Sequence, residues 1–235
     1  MVKAILFDLD GTLLPMDNDV FTKTYFYHLS EAAKEWGYTD RDTLIKAVWN
    51  GVKYMYTNDG KVTNDVVFWK GFSDAYGKDC AEDSAKFDTF YSDGFTKAKA
   101  ATFPAPLAPE AVRLAREKAE KVVLATNPIF PREAYRQRLS WLGLKMEDFD
   151  LVTDYENSHF TKPNTKYYEE ILAKIGVDAK DAVMIGNDAD EDMAPAQALG
   201  MKFFLQNEYL LNKSGREIDC EFGGYEDMIK FLGSL

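Results

Sequence analysis

The sequence predicts an α/β fold: a parallel sheet with helices on both faces, plus an inserted all-helical unit. Three observations predict it. Ala4-Ile5-Leu6-Phe7 is a short apolar run that stops at Asp8-Leu9-Asp10-Gly11, the pattern of a buried strand closed by a turn. From about residue 109 onward, short apolar runs alternate with segments of helical periodicity, as in a parallel sheet covered on both sides. Between these regions, residues 17–100 show helical texture and no strand-like alternation.

In order, the first strand gives way at Pro15-Met16-Asp17-Asn18, which breaks the pattern. Helices are then predicted over 19–36, 40–56, 63–76 and 81–92. Each has Ser, Thr, Asp or Asn near its start, and Gly37, Asn58-Asp59-Gly60 and Gly77 punctuate the ends of the first three. The block is rich in aromatics, among them Phe21, Tyr25, Trp49, Phe68, Trp69 and Tyr91, which at helical spacing predict the core of a small bundle. Some of them are expected to line a substrate pocket. Pro104, Pro106 and Pro109 hold the next segment extended and lead into a helix over 109–119. Strands are predicted at 122–125, 150–153, 182–185 and 202–205. Helices between and after them are predicted at 132–142, 164–175, 191–199 and 225–232. The chain shows no internal repeat and no low-complexity tract.

Composition narrows the function. With 235 residues the chain can build one good core or a core with an inserted lobe. A formal net charge of −11 argues against a nucleic-acid partner, which calls for a basic patch. No apolar stretch reaches bilayer length, so no membrane partner is expected. Cys80 and Cys220 are too few for a disulfide framework, and two free thiols in a reducing, cytoplasmic setting are expected.

The chemistry gathers at the strand ends. Asp8 and Asp10 share one face and point into the crevice beyond the first strand. Carboxylates so placed repel each other unless a divalent cation or a proton intervenes. A calcium loop would need Gly at its sixth position and Glu at its twelfth, where this chain has Leu13 and Asp19. Strand 122–125 ends in Thr126-Asn127, the loop after 150–153 reaches Thr161-Lys162-Pro163-Asn164, and strand 182–185 ends in Gly186-Asn187-Asp188-Ala189-Asp190-Glu191-Asp192. Carboxylates, a hydroxyl with an amide, and one lysine suit a phosphate group beside Mg²⁺. Asp190 and Glu191 read as a solvated face, His159 as an ordinary loop histidine, and His28 receives no role.

With these residues in place, the chain resembles the haloacid dehalogenase superfamily of phosphohydrolases over nearly its whole length. Asp-Leu-Asp-Gly-Thr-Leu-Leu at 8–14, Thr126, Lys162 and the acidic cluster match its four motifs in order. The resemblance implies a Rossmann-like core of residues 1–16 and 101–235 and a helical type-1 cap of residues 17–100, hinged at the two crossings. It implies that Asp8 is the nucleophile and Asp10 the general acid and then base. Thr126, the amide of Asn127 and Lys162 would hold phosphoryl oxygens. Asp8, the backbone carbonyl of Asp10 and Asp188 would hold Mg²⁺, with Asp192 in support. Because Asn187 intervenes in the fourth motif, Asn187 and Asp188 compete for the metal position. The implied activity is hydrolysis of a small phosphorylated metabolite through an aspartyl-phosphate. Dehalogenating and phosphonate-cleaving members lack the second aspartate, so Asp10 disfavours both. A phosphomutase of the β-phosphoglucomutase kind shares every motif, and a non-catalytic phospholigand-binding protein on the same fold is the competitor from another class. Neither the substrate nor the oligomeric state is written in these motifs.

Overall fold

The structure is a computed structural model that describes residues 2–235. It opens with β1 (Ala4–Phe7), followed by α1 (Asn18–Ala33), α2 (Arg41–Tyr56), α3 (Asn64–Tyr76) and α4 (Ser84–Ser92). A 3-10 stretch over Gly94–Ala101 closes the helical unit. There follow α5 (Ala108–Lys118), β2 (Lys121–Leu124), α6 (Arg132–Trp141), β3 (Leu151–Val152) and α7 (Thr165–Ile175). The chain ends with β4 (Ala182–Gly186), α8 (Ala194–Ala198), β5 (Lys202–Gln206), β6 (Glu221–Gly223) and α9 (Tyr225–Ser234).

The strands form one parallel sheet in the order β3-β2-β1-β4-β5-β6. The order reverses beside β1, and a Rossmann-like sheet of this order binds its ligand in the crevice at that switch point. β1 is therefore central, and its alternation divides the core. Ile5 and Phe7 pack with Val122, Leu124, Val183 and Ile185 under α5 and α9. Ala4 and Leu6 pack with Val123, Met184 and Phe203 on the other face, under α7 and α8. Burying each large apolar side chain stabilises the fold by about 1.5–3 kcal/mol. A third cluster fills the helical unit and takes in Ala134 and Tyr155 from the sheet side.

Helix starts follow their caps. Asp17 accepts from the N–H groups of Asp19 and Val20, and Asp40 from those of Asp42 and Thr43. The two crossings between sheet and helical unit run side by side: Asp17 N–H donates to Ala101 O at 3.0 Å and Phe103 N–H to Pro15 O at 2.9 Å. A third tie lies at the start of α3. Its N–H groups on Asn64 and Asp65 have no partner within the helix and donate to Ser158 O and Tyr155 O, at 2.8 and 2.9 Å.

Four details differ from the sequence expectation. The segment 19–36 is α-helical only to Ala33 and finishes as a 3-10 turn. Residues 94–101 form a 3-10 stretch where no element is expected. The helix expected over 191–199 begins as a π turn, Ala189–Met193, because Asp188 caps the amides of Asp190 and Glu191 before α8 starts at Ala194-Pro195. β6 is unforeseen: it is a three-residue edge strand with Glu221 and Phe222 exposed, so it carries no apolar run.

Candidate active site

Asp8 extends the β1 ladder by one bond, its N–H donating to Ile185 O at 2.9 Å. The chain then turns sharply, with Leu14 N–H returning to Leu9 O at 2.8 Å. Gly11 makes the turn possible. Its φ is +87°, and a Cβ there would stand 2.2 Å from the Asn187 side chain. Asn187 is committed to this packing: its Oδ1 accepts from Thr12 Oγ1 at 3.0 Å and its Nδ2 donates to Tyr209 O at 2.7 Å. The neighbouring Asp188 uses Oδ1 to cap the following turn, and its Oδ2 carries no hydrogen bond among the described residues.

Lys162 is the pivot of the site. Its ammonium is buried and donates to Asp8 Oδ1 at 2.7 Å and to Asp192 Oδ1 at 2.6 Å. Burial works against its charge, yet the carboxylates of Asp192 and Asp8 outweigh that and hold its pKa well above the ordinary value. Asp192 is buried as well and is pushed up to about 7 by that burial, against the pull of Lys162. Its Oδ2 accepts from Asp188 N–H at 3.1 Å. Asp192 thus positions both the lysine and the backbone of Asp188. Gly186 leaves it the room, since a Cβ on Gly186 would sit 2.3 Å from Asp192 Oδ2.

Thr126 follows β2, with its carbonyl fixed by Thr153 Oγ1 and Tyr167 Oη, both at 2.7 Å. Asn127 accepts from Lys162 N–H at 3.3 Å and donates to Glu191 Oε2 at 3.1 Å and to Tyr56 Oη at 3.2 Å. A pocket of about 200 Å³ has Asp8, Asp10, Thr126, Asn127, Lys162, Asp188 and Asp192 all on its wall. The structure brings together all seven residues singled out in the sequence. A wider hollow, about 930 Å³, lies over α3 and the loop at Tyr155 and Glu156 and holds none of them.

Asp10 has a partner the sequence reading missed. Arg138, fully buried on α6, donates from Nη1 to Asp10 Oδ2 at 2.6 Å. Its guanidinium lies 4.3 Å from the ring centre of Phe130 and 5.0 Å from that of Phe21. Burial raises the Asp10 carboxyl above the ordinary range, while Arg138 pulls it back. Asp10 Oδ1 is buried and has no hydrogen-bond partner among the described residues. Arg138 had a signal: Ala134, Tyr135, Trp141 and Leu142 lie three or four residues from it, so it shares the apolar face of its helix. Tyr56 and Glu191 also line the pocket. Glu191 is therefore a correction to the solvated face expected of it, drawn in by the Asn127 amide. Asp190 does face outward, where it binds Arg216 and Ser214. His159 is held by Glu170 at 2.8 Å and does not line the pocket.

The donor set suits a hard cation. Asp8 keeps one oxygen beyond the Lys162 bond, Asp188 keeps Oδ2, and both border the same small pocket. Among the described residues no three Asp, Glu, His or Cys side chains converge as a complete metal cage. Mg²⁺ fits such a partial set, because it retains several waters and takes only one or two carboxylates.

Comparison with known proteins agrees with this architecture. A family model for haloacid dehalogenase-like hydrolases matches residues 2–200. A glyceraldehyde 3-phosphate phosphatase of Methanothermobacter thermautotrophicus is 37% identical over 62 residues, which span 26% of this chain and 27% of that relative. Among solved structures, a HAD phosphatase from Thermococcus onnurineus superposes with a TM-score of 0.61 at 19% identity, covering 99% of this chain and 98% of that one. A 2-haloacid dehalogenase from Pseudomonas syringae pv. Tomato gives 0.65 at 21% identity, covering 100% and 99%. At these identities the two likenesses concern the fold alone. Among the described residues no helix is long and apolar enough to cross a membrane, and both cysteines are free.

Proposed function

The chain belongs to the haloacid dehalogenase-like hydrolases, and on that premise we propose that it is a Mg²⁺-dependent phosphatase acting on a small phosphate monoester through an aspartyl-phosphate on Asp8. The observation that carries this reading is the buried Lys162 ammonium gripping Asp8 and Asp192 in one pocket with Thr126, Asp188 and Asp10. The partial match to a phosphatase relative supports the reaction class.

Asp8 attacks phosphorus with one carboxylate oxygen while the Lys162 ammonium, bonded to Oδ1, holds the carboxylate in place. Fixing the carboxylate sets the direction of attack, which is the positional part of the rate enhancement. Lys162, Thr126 Oγ1 and the Asn127 N–H are the donors for phosphoryl oxygens whose charge grows as the ester bond breaks. Asp10 protonates the leaving alcohol from Oδ1, its only oxygen not bound to Arg138, and then takes a proton from the water that cleaves the aspartyl-phosphate. Asp8, the Asp10 carbonyl and Asp188 would hold Mg²⁺, which when bound would supply charge neutralisation between carboxylate and phosphate.

Quench-flow on Asp10→Asn tests the division of labour. With an alkyl phosphate, turnover should fall by about 10²–10⁴-fold, the usual contribution of general acid catalysis. With an aryl phosphate, whose leaving group needs no proton, one phenolate per active site should appear in a burst while phosphate stays on Asp8 by mass spectrometry. Asp8→Asn should lose all turnover. EDTA should abolish activity and Mg²⁺ restore it, with Ca²⁺ a poor substitute because of its looser coordination. Steady activity of metal-free protein, or an isomerised sugar phosphate as product, would overturn the assignment.

A further inference from the structure

Next to the 200 Å³ pocket runs a second cavity of about 350 Å³, and the two share Asp10, Asn18, Tyr56, Ile129 and Phe130. They meet at the carboxylate assigned to the leaving alcohol. Native interiors contain few voids larger than a water molecule, so a space of this size inside the helical unit is not a packing fault. It lies at the lower end of ligand pockets, roughly 300–1,000 Å³.

The wall is aromatic. Phe21, Tyr25, Trp49, Phe68 and Tyr91 present rings from the helical unit, and Phe130 from the sheet side. Of all its lining residues only Asp10 and Lys213 carry a charge. The Tyr25 and Tyr91 hydroxyls bond to each other at 2.9 Å, which uses one donor and one acceptor of the pair, and the other polar side chains of the lining are Asn18, Thr22, Tyr56 and Tyr155 with the Trp49 and Trp69 indoles. A polyol or sugar entering this space would lose water from several hydroxyls, and the ring faces and aliphatic groups that make up most of the wall offer them no partner, a loss for each group left unpaired. A flat apolar ring loses nothing and meets edges and faces it can pair with.

Resting on the phosphatase reading, we propose that the substrate is the monoester of an arylalkyl alcohol, with its ring in this cavity and its ester oxygen at Asp10. This departs from the small polar aldehyde phosphate named for the archaeal relative. The exposed Trp49 stands at the cavity mouth, and Val52 lies on its wall.

The test compares kcat/KM with Mg²⁺ for 2-phenylethyl phosphate, ethyl phosphate, glyceraldehyde 3-phosphate, glucose 6-phosphate and acetyl phosphate. The first four release alkyl alcohols, so their ratios report recognition. Acetyl phosphate is small and activated and needs only the 200 Å³ pocket. 2-Phenylethyl phosphate should exceed ethyl phosphate and both sugar phosphates by about 10–100-fold, the gain from burying one ring-sized apolar group. Val52→Phe, which fills the cavity, should collapse the ratio of 2-phenylethyl to acetyl phosphate. Trp49→Ala, at an exposed position that does not threaten folding, should lower the same ratio through KM. Turnover of acetyl phosphate with a sugar phosphate preferred, or ratios unmoved in both variants, would overturn the aromatic substrate and leave the phosphatase reading standing. No turnover even of acetyl phosphate would remove both.

Discussion

A guanidinium with no exposure is costly unless it is paired, and Arg138 has one short bond to Asp10, close approach to the Phe130 and Phe21 rings, and Nε and Nη2 without a partner among the described residues. Its position fixes one Asp10 oxygen and leaves the other free for the proton transfer proposed above. Arg138→Met keeps the apolar contacts and removes the clamp. Turnover of alkyl phosphates should fall by roughly ten- to a hundred-fold, part of the general-acid contribution, while aryl phosphates lose less. The stability cost should fall below the roughly 3–5 kcal/mol of a broken buried pair, since Asp10 borders the pocket and regains water. Denaturant titration reads the second effect and leaving-group dependence the first. The cysteines behave oppositely to reactive thiols. Burial pushes Cys220 up to about 11, and Cys80 is buried outright. Cys220 therefore carries little thiolate at pH 8, and burial puts Cys80 out of the reagent's reach, so iodoacetamide should label neither until the protein is unfolded.

At the scale of elements, the end of β4 holds the site together through a missing side chain. Gly186→Ala would drive a Cβ into Asp192 and shift the lysine that depends on it. Activity should fall on the order of 10²-fold, as for a misplacement of about 1 Å, with circular dichroism unchanged. At the start of α3, the buried Asn64 side chain reaches Phe160 O and Pro128 O at 3.3 and 3.4 Å and accepts from Asn58 at 3.0 Å. Asn64→Ala should cost about 1–3 kcal/mol in unfolding free energy, the price of orphaning those groups. Most elements were legible from an apolar period bounded by a punctuating residue in sequence, as Asp17 and Asp40 start α1 and α2 and Gly77 and Gly176 end α3 and α7. β6 was not, since Glu221-Phe222-Gly223 is exposed along most of its length and gains its place only from β5. The site was legible where chemistry sits at a strand end, as at Asp8, Thr126 and Asp188. It was missed where packing decides: Arg138 received no reading although it shares the apolar face of its helix, and Asn187, read as a competitor for the metal position, spends its amide on Thr12 and Tyr209.

For the whole molecule, we expect the helical unit of residues 17–100 to open and close over the sheet by bending at its two crossings. Besides those crossings, the Asn64 tie and the Tyr56–Asn127 bond connect it to the sheet side. Spin labels at 59 and 166 should show a longer, broader distance without a phosphate analogue than with one. A single unchanged distance in an active enzyme would count against gating. The central place of β1 has another consequence, for how the molecule is made. Its sheet partners begin at Lys121 and Ala182, whereas everything needed for the four helices between has been synthesised by Ala101. On the ribosome the helical insert can fold while Ala4–Phe7 is still an apolar segment without a neighbour, the kind of exposed strand that invites aggregation. Limited proteolysis of stalled nascent chains ending near residue 160 should find the insert protected and β1 open. Asp8 is synthesised before every other residue of the site and is set in place only with the last of them.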